Sequence, residues 1–222
     1  MPDVNTMVYV FGEGKTDIGG SDAPELPTKG VVPILVHALC DKPRQMRVKR
    51  ESVAFLEGKG LWQKVRCAKR RAFYGKARAA VFVVDSEGNA ALCKRKCDQV
   101  RKGRDAALPD FAMAVGIAHP CIEAWLLTDV AAITGCLNPA KTPAIPEKPE
   151  ELPAPCDDRK NNPKAMLRQI AGRAISTNDK DRIATAMDLS SLRQPCPLGF
   201  APFADEVEKR IRPLFQEPCS PA

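Results

Sequence analysis

The sequence predicts an α/β fold, with a mostly parallel sheet flanked by helices and a small helical extension at the C-terminal end. Three observations predict it. Apolar runs at residues 7–11, 79–84 and 111–118 are too short for helices and end abruptly in polar residues, as buried parallel strands do. Helical patterns stand between the last two runs and after the third, and strand–helix alternation favours parallel pairing. The first two runs also deliver carboxylates at their ends: Glu13 after the first, Asp85 and Glu87 after the second. Open α/β sheets bind ligands at the carboxyl ends of their strands, so these acids could meet at one edge.

Each element has a local reason. The first strand, about residues 7–11, feeds a Gly-flanked loop, and Gly19-Gly20 with Pro24 and Pro27 keep the next segment irregular. A helix follows over 31–39, with Pro33 tolerated in its first turn. Imperfect alternation over 47–55 fits an exposed or edge strand. Between Gly60 and Lys76, Leu61, Val65, Ala68 and Ala72 recur at helical spacing. Lys64, Arg71 and Arg78 fall seven apart and would line one side of that helix as nucleic-acid contacts. Trp62, Phe73 and Tyr74, interleaved among them, are expected in the core rather than stacked on bases.

The strand at 79–84 is followed by Gly88 and a basic helix from about 90 to 103. The third buried strand ends in His119-Pro120, and Cys121 to Asp129 opens a helix just beyond it. Residues 1–137 therefore read as the α/β core. Residues 138–163 hold seven prolines and read as a linker, since proline resists both helix interior and sheet. Residues 164–222 read as the extension, with helical patterns at 164–174, at 179–187 with Asn178 as its N-cap, and at 203–215. It is expected to pack on the sheet.

Composition bounds the function. No apolar stretch approaches the roughly 20 residues that span a bilayer, and the N-terminus lacks a secretory pattern. A cytoplasmic protein is expected, with its nine cysteines reduced. No C-x-x-C pair occurs, so structural zinc is disfavoured and buried thiols acting as small apolar residues are the better reading. The net charge of +7 is uneven: residues 42–78 hold thirteen Lys/Arg against Glu51 and Glu57 alone. Such a run is ordinarily a solvated face, but beside a carboxylate site it suits a polyanion such as nucleic acid.

Carboxylates alone, without nitrogen or sulfur ligands, suit Mg²⁺ or Mn²⁺. Phosphodiester cleavage needs an activated water and stabilised charge on phosphoryl and leaving oxygens, which carboxylate-bound divalent metals supply. Asp85 and Glu87, two apart, point to one face if the strand continues, and Glu123 could add a ligand or orient water. The bland alternatives are turn residues for Asp85 and Glu87, a loop cap for Asp17, and a helix-dipole partner for Glu123. His119 reads as a structural strand-end residue and Trp125 as core. No Walker A pattern occurs, so ATP hydrolysis would come from elsewhere.

Glu13-Gly14 after one strand, and Asp85-Ser86-Glu87-Gly88 after a later one, resemble the TOPRIM domain of topoisomerases, primases and several nucleases. That family carries Glu-Gly and then Asp-x-Asp around Mg²⁺; here Glu87 replaces the final aspartate, keeping the charge on a longer arm. Residues 120–126, Asn162-Pro163-Lys164 and 188–200 extend the resemblance to a TOPRIM-like family related to the OLD and RloB nucleases of bacterial defence loci. The resemblance implies a Rossmann-like sheet and a Mg²⁺- or Mn²⁺-dependent nuclease with Glu13, Asp85 and Glu87 as metal ligands. It also implies Glu123 and Lys164 assisting, with Lys15 as the second candidate lysine, and a separate ATPase partner acting in phage defence. The alternative is a non-catalytic TOPRIM-fold subunit that binds nucleic acid or regulates such an ATPase.

Overall fold

Four strands pair in parallel in the order β2-β1-β3-β4: β1 (Met7–Gly12), β2 (Arg47–Ser52), β3 (Ala79–Asp85) and β4 (Met113–Ala118). The structure is a computed structural model and describes residues 6–19, 29–43, 45–139 and 143–216, the side chains of Lys15 and Thr16 excepted. Helices flank the sheet, so the α/β class is established. The central strands are apolar throughout because both faces are covered. On β3, Ala79, Val81 and Val83 enter one core while Ala80, Phe82 and Val84 enter the other.

One layer holds α3 (Leu61–Tyr74) and α4 (Ala90–Asp105), whose buried faces meet the Phe82 side of the sheet. The opposite layer holds α2 (Val31–Leu39), α5 (Ile122–Leu126), α6 (Val130–Leu137), α7 (Pro163–Ala171), α8 (Thr177–Ala186) and α9 (Phe200–Arg210). A short α1 (Lys15–Ile18) follows β1. Gly116 lets α9 lie against β4: a Cβ there would stand 2.7 Å from Phe203 Cδ2. Trp125, fully buried, stacks on Phe203 at 5.5 Å between ring centroids. Among the described residues, no helix is long and apolar enough to cross a membrane.

Several local expectations need correction. The strand expected over 47–55 stops at Ser52, whose hydroxyl accepts from Ala54 N–H and turns the chain into a 3₁₀ segment, Val53–Phe55. Phe73 and Tyr74 are not core residues; they are 45% and 75% exposed, off the buried stripe that Val65, Ala68 and Ala72 form along α3. The N-cap of α8 is Ser176, not Asn178, because Ser176 and Asp179 cap each other reciprocally. The helix expected over 203–215 begins earlier, at Phe200, since Glu150 anchors its amino end: the carboxylate accepts from Leu198, Gly199 and Phe200 N–H at 2.7, 2.8 and 3.3 Å. Glu150 lies in the proline-rich segment, which docks on the molecule through this buried acid. Helix α6 carries no strong amphipathic signal and was not expected.

Candidate functional site at the switch point of the sheet

From β1 the chain goes to β2 on one side, and β3 then lies on the other side of β1. The connection reverses between β1 and β3, and their carboxyl ends form the crevice where doubly wound folds of this order take ligands. The register aligns Phe11 with Phe82, so Glu13 stands alongside the end of β3. The Asp85 amide faces Glu13 Oε2 at 3.4 Å. On the other side Asp85 pairs in register with Ala118, at the end of β4.

Asp85 is buried, and its Oδ1 accepts from Ile122 N–H at 3.1 Å, in the first turn of α5. Glu123, one residue on, is also buried, and its Oε1 meets Lys180 Nζ at 2.6 Å. Lys164 Nζ lies between the two acids, 4.0 Å from Asp85 Oδ2 and 4.0 Å from Glu123 Oε2. Its position follows from a local signal: Asn162 caps α7 by accepting from Ala165 N–H, Pro163 fits the first turn, and Lys164 comes next. Beneath the loop, Ser86 Oγ and His119 Nδ1 are 2.7 Å apart and both buried, while Ser86 N–H donates to Ala118 carbonyl oxygen at 2.8 Å.

The electrostatics are those of crowded acids. Burial, then the charges of Asp17, Glu123 and Glu13, hold the Asp85 carboxyl well above the usual range, with Lys164 opposing. Loss of hydration raises Glu13 as well, partly offset by the Asp85 amide and reinforced by Glu87. Burial would also raise Glu123, but Lys180 and Lys164 overcome it and hold this acid below its ordinary value. Lys164 is itself desolvated, yet Glu123 and Asp85 keep its pKa raised and the ammonium protonated. Burial lowers His119, which is neutral at neutral pH.

Glu13, Asp85, Glu123 and Lys164 are therefore brought together. Glu87 lies at the exposed rim of this group: its charge reaches Glu13, but its backbone has φ 53° and its N–H donates to Pro120 carbonyl oxygen at 3.0 Å. The turn ends the strand geometry that would have set Glu87 on the face of Asp85. The three basic candidates also separate. Lys64 stays near the acids, in a cleft it shares with Glu13. Arg71 is held by Glu51, Nε to Oε2 at 2.7 Å. Arg78 lies beyond α3, at the amino end of β3 and so away from the acids, with its guanidinium over the Phe215 ring. The helix ends at Tyr74, so the spacing of seven does not carry to Arg78. The side chain of Lys15 lies outside the described residues.

Three contributors escaped sequence reasoning: Lys180, Lys96 and Ser86. Lys180 sits 57 positions from Glu123 and has no local signature. Lys96, whose Nζ donates to Asp85 carbonyl oxygen at 2.8 Å, looked like one more cation of a basic helix. Ser86 supports the loop from below against His119, the expected strand-end residue, while Asp17 caps the Gly14 turn as expected and adds charge near Asp85. The buried thiols Cys40, Cys121 and Cys196 are inert by environment: burial raises Cys40 to about 12 and pushes the other two higher, whereas a hydrogen bond with Cys93 lowers Cys97 and Cys156 is exposed.

As the side chains stand, no group of three or more His, Cys, Asp or Glu residues among those described forms a ready metal cage. The donor chemistry nevertheless fits a hard divalent cation. The donors are all carboxylate oxygens, Asp85 and Glu13 are raised by burial and by the charges of neighbouring acids, and Glu123 Oε2 is buried without a hydrogen-bond partner.

Fold and site together define a doubly wound α/β protein with an acid-and-lysine centre at its switch point. The chain belongs to the family described as a domain of unknown function (DUF4276), which matches residues 29–208. The match takes in Asp85, Glu87, Glu123 and Lys164 and begins after β1 and Glu13. No curated protein and no solved structure matches the chain.

Proposed function

We propose that the protein is a TOPRIM-like, Mg²⁺- or Mn²⁺-dependent nuclease that hydrolyses nucleic-acid phosphodiesters. One observation carries the reading: acids from adjacent strands, Glu13 and Asp85, flank the switch point with Lys164 beside them. A divalent ion held by Glu13, Asp85 and Glu87 would supply Lewis acidity and lower the pKa of bound water. The chain's own groups do the rest. Lys164, protonated and half exposed, is positioned to stabilise charge developing on phosphoryl oxygens. Lys180 fixes Glu123, and Glu123 in turn holds Lys164 near Asp85. The Ile122 amide orients Asp85, and the Ser86–His119 contact supports the loop that bears it. The same reading gives nucleic acid as partner and a separate ATPase in a phage-defence setting in the cytoplasm.

The exposed Glu87, in a left-handed turn after the strand, favours a second reading, a non-catalytic TOPRIM-fold subunit that binds nucleic acid or regulates the ATPase. The two are separated by incubating plasmid, linear duplex and single-stranded RNA with Mg²⁺ or Mn²⁺, using wild type and Asp85→Asn. Cleavage by wild type alone is expected, together with a Mn²⁺-dependent rise in thermal midpoint that Asp85→Asn and Glu13→Gln both lose. Equal cleavage by both proteins, or no cleavage and no metal response in wild type, would sink the nuclease assignment.

A further inference from the structure

A cleft of about 280 Å³ opens beside the acid centre, between the amino end of α3 and the first three turns of α4. Four cations line it: Lys59 from the turn before α3, Lys64 from its first turn, and Arg95 and Lys96 from α4. Glu13 is the one carboxylate among its described lining residues. Among the described residues, no carboxylate forms an ion pair with any of the four cations. Four like charges around one concavity repel in the free protein and raise the local concentration of anions.

The cleft also has an apolar side. Leu61, Val84 and Leu92 contribute to its lining, and Val84 is the last buried residue of β3 before Asp85. Cations for a phosphate, apolar surface for a sugar or base, and a volume near the small end of ligand sites together suit a single nucleotide. Lys96 ties the cleft to the acid centre, because its ammonium holds the Asp85 carbonyl oxygen while facing the same space as Glu13.

We infer that this cleft is a mononucleotide subsite, binding the phosphate of a nucleotide through Lys59, Lys64, Arg95 and Lys96 next to the acid centre. The inference rests on the proposed nuclease reading for its role, the nucleotide flanking the cleaved phosphate, but not for binding itself. Its cations come from two segments, so only Lys59 and Lys64 belong to the basic run of residues 42–78.

Isothermal titration of the full chain with 5′- and 3′-nucleoside monophosphates, and with inorganic phosphate, in EDTA tests binding without metal or cleavage. Wild type should bind a nucleoside monophosphate more tightly than phosphate. Lys64→Gln and Arg95→Gln should each weaken binding about tenfold, the loss of one charge-assisted contact. Lys209→Gln removes the same charge from an exposed site on α9 and should leave binding unchanged. Both cleft variants alter residues that are not buried, so circular dichroism and thermal midpoint should match wild type. No binding at millimolar nucleotide, or equal losses in all three variants, would overturn the subsite even if the protein cleaves nucleic acid. Binding lost only in the cleft variants, with no cleavage of any substrate, would leave the subsite standing and remove the nuclease reading.

Discussion

Removing Lys180 should be the most damaging single change near the site that touches no strand. Its side chain is 9% exposed, that of Glu123 3%, and the charged ends meet at 2.6 Å. In Lys180→Met, Glu123 keeps its charge in a buried setting with only Lys164 at 4.0 Å to answer it. Breaking a buried pair by deleting one partner costs roughly 3–5 kcal/mol. Lys164 is half exposed and offsets part of this, so about 3 kcal/mol is expected, or roughly 6–12 °C in thermal midpoint for a chain of this size. Glu123→Gln should also destabilise. The double variant should cost less than the sum, with a coupling of about 2 kcal/mol. The acid limb gives an independent check. Glu123 is held below its ordinary value, so its stabilisation is complete above the normal glutamate range and is lost as pH falls through the folded value. Urea melts from pH 3 to 7 should show this loss in wild type and a flatter profile in Lys180→Met. A Lys180→Met midpoint within about 2 °C of wild type, under 1 kcal/mol on the usual scale, would refute the reasoning, as would strict additivity in the cycle.

Asp85 should behave with the opposite sign. Its folded pKa is raised, so its contribution is most favourable below the ordinary aspartate range and declines as pH rises through the folded value. Asp85→Asn keeps an acceptor for the Ile122 amide and should gain about 0.5–2 kcal/mol at pH 7 while losing cleavage, a trade seen at strained sites. Thermal melts at pH 3 and 7 check it, the gain closing at the lower pH. Glu150→Ala strands three backbone N–H groups at the start of α9 and should cost about 3 kcal/mol, read from urea midpoints. Gly116→Ala pushes a methyl group towards Phe203 Cδ2 and should cost about 1–3 kcal/mol by the same measurement, through overpacking between β4 and α9.

The parallel α/β class was legible because its causes are local. The apolar runs of β1, β3 and β4 end where the chain leaves the sheet, and Val31–Leu39 forms α2 as its pattern requires. Asp85 and Glu13 could be placed at one edge for the same reason, since parallel strands bring like ends together. The aromatic residues of α3 show where local reasoning fails. Phe73 and Tyr74 are apolar by type, but the neighbours that would bury them are a matter of packing, and on the last turn of α3 only Ala72 is buried against the sheet.

By itself, the sequence determined the strands β1, β3 and β4, helices α2, α3 and α4, and which acids close the strands, because backbone geometry and apolar periodicity act within a few residues. Tertiary structure decided the company those acids keep. Lys164 reaches Asp85 and Glu123 from α7, Lys180 reaches Glu123 from α8, and Lys96 holds the Asp85 carbonyl oxygen from α4. It also kept Lys64 at the cleft while leaving Arg71 and Arg78 elsewhere. A side chain's charge is written in its residue type, but which charge it faces depends on how whole helices pack across a sheet. Coulomb and desolvation energies depend on those distances and not on separation along the chain.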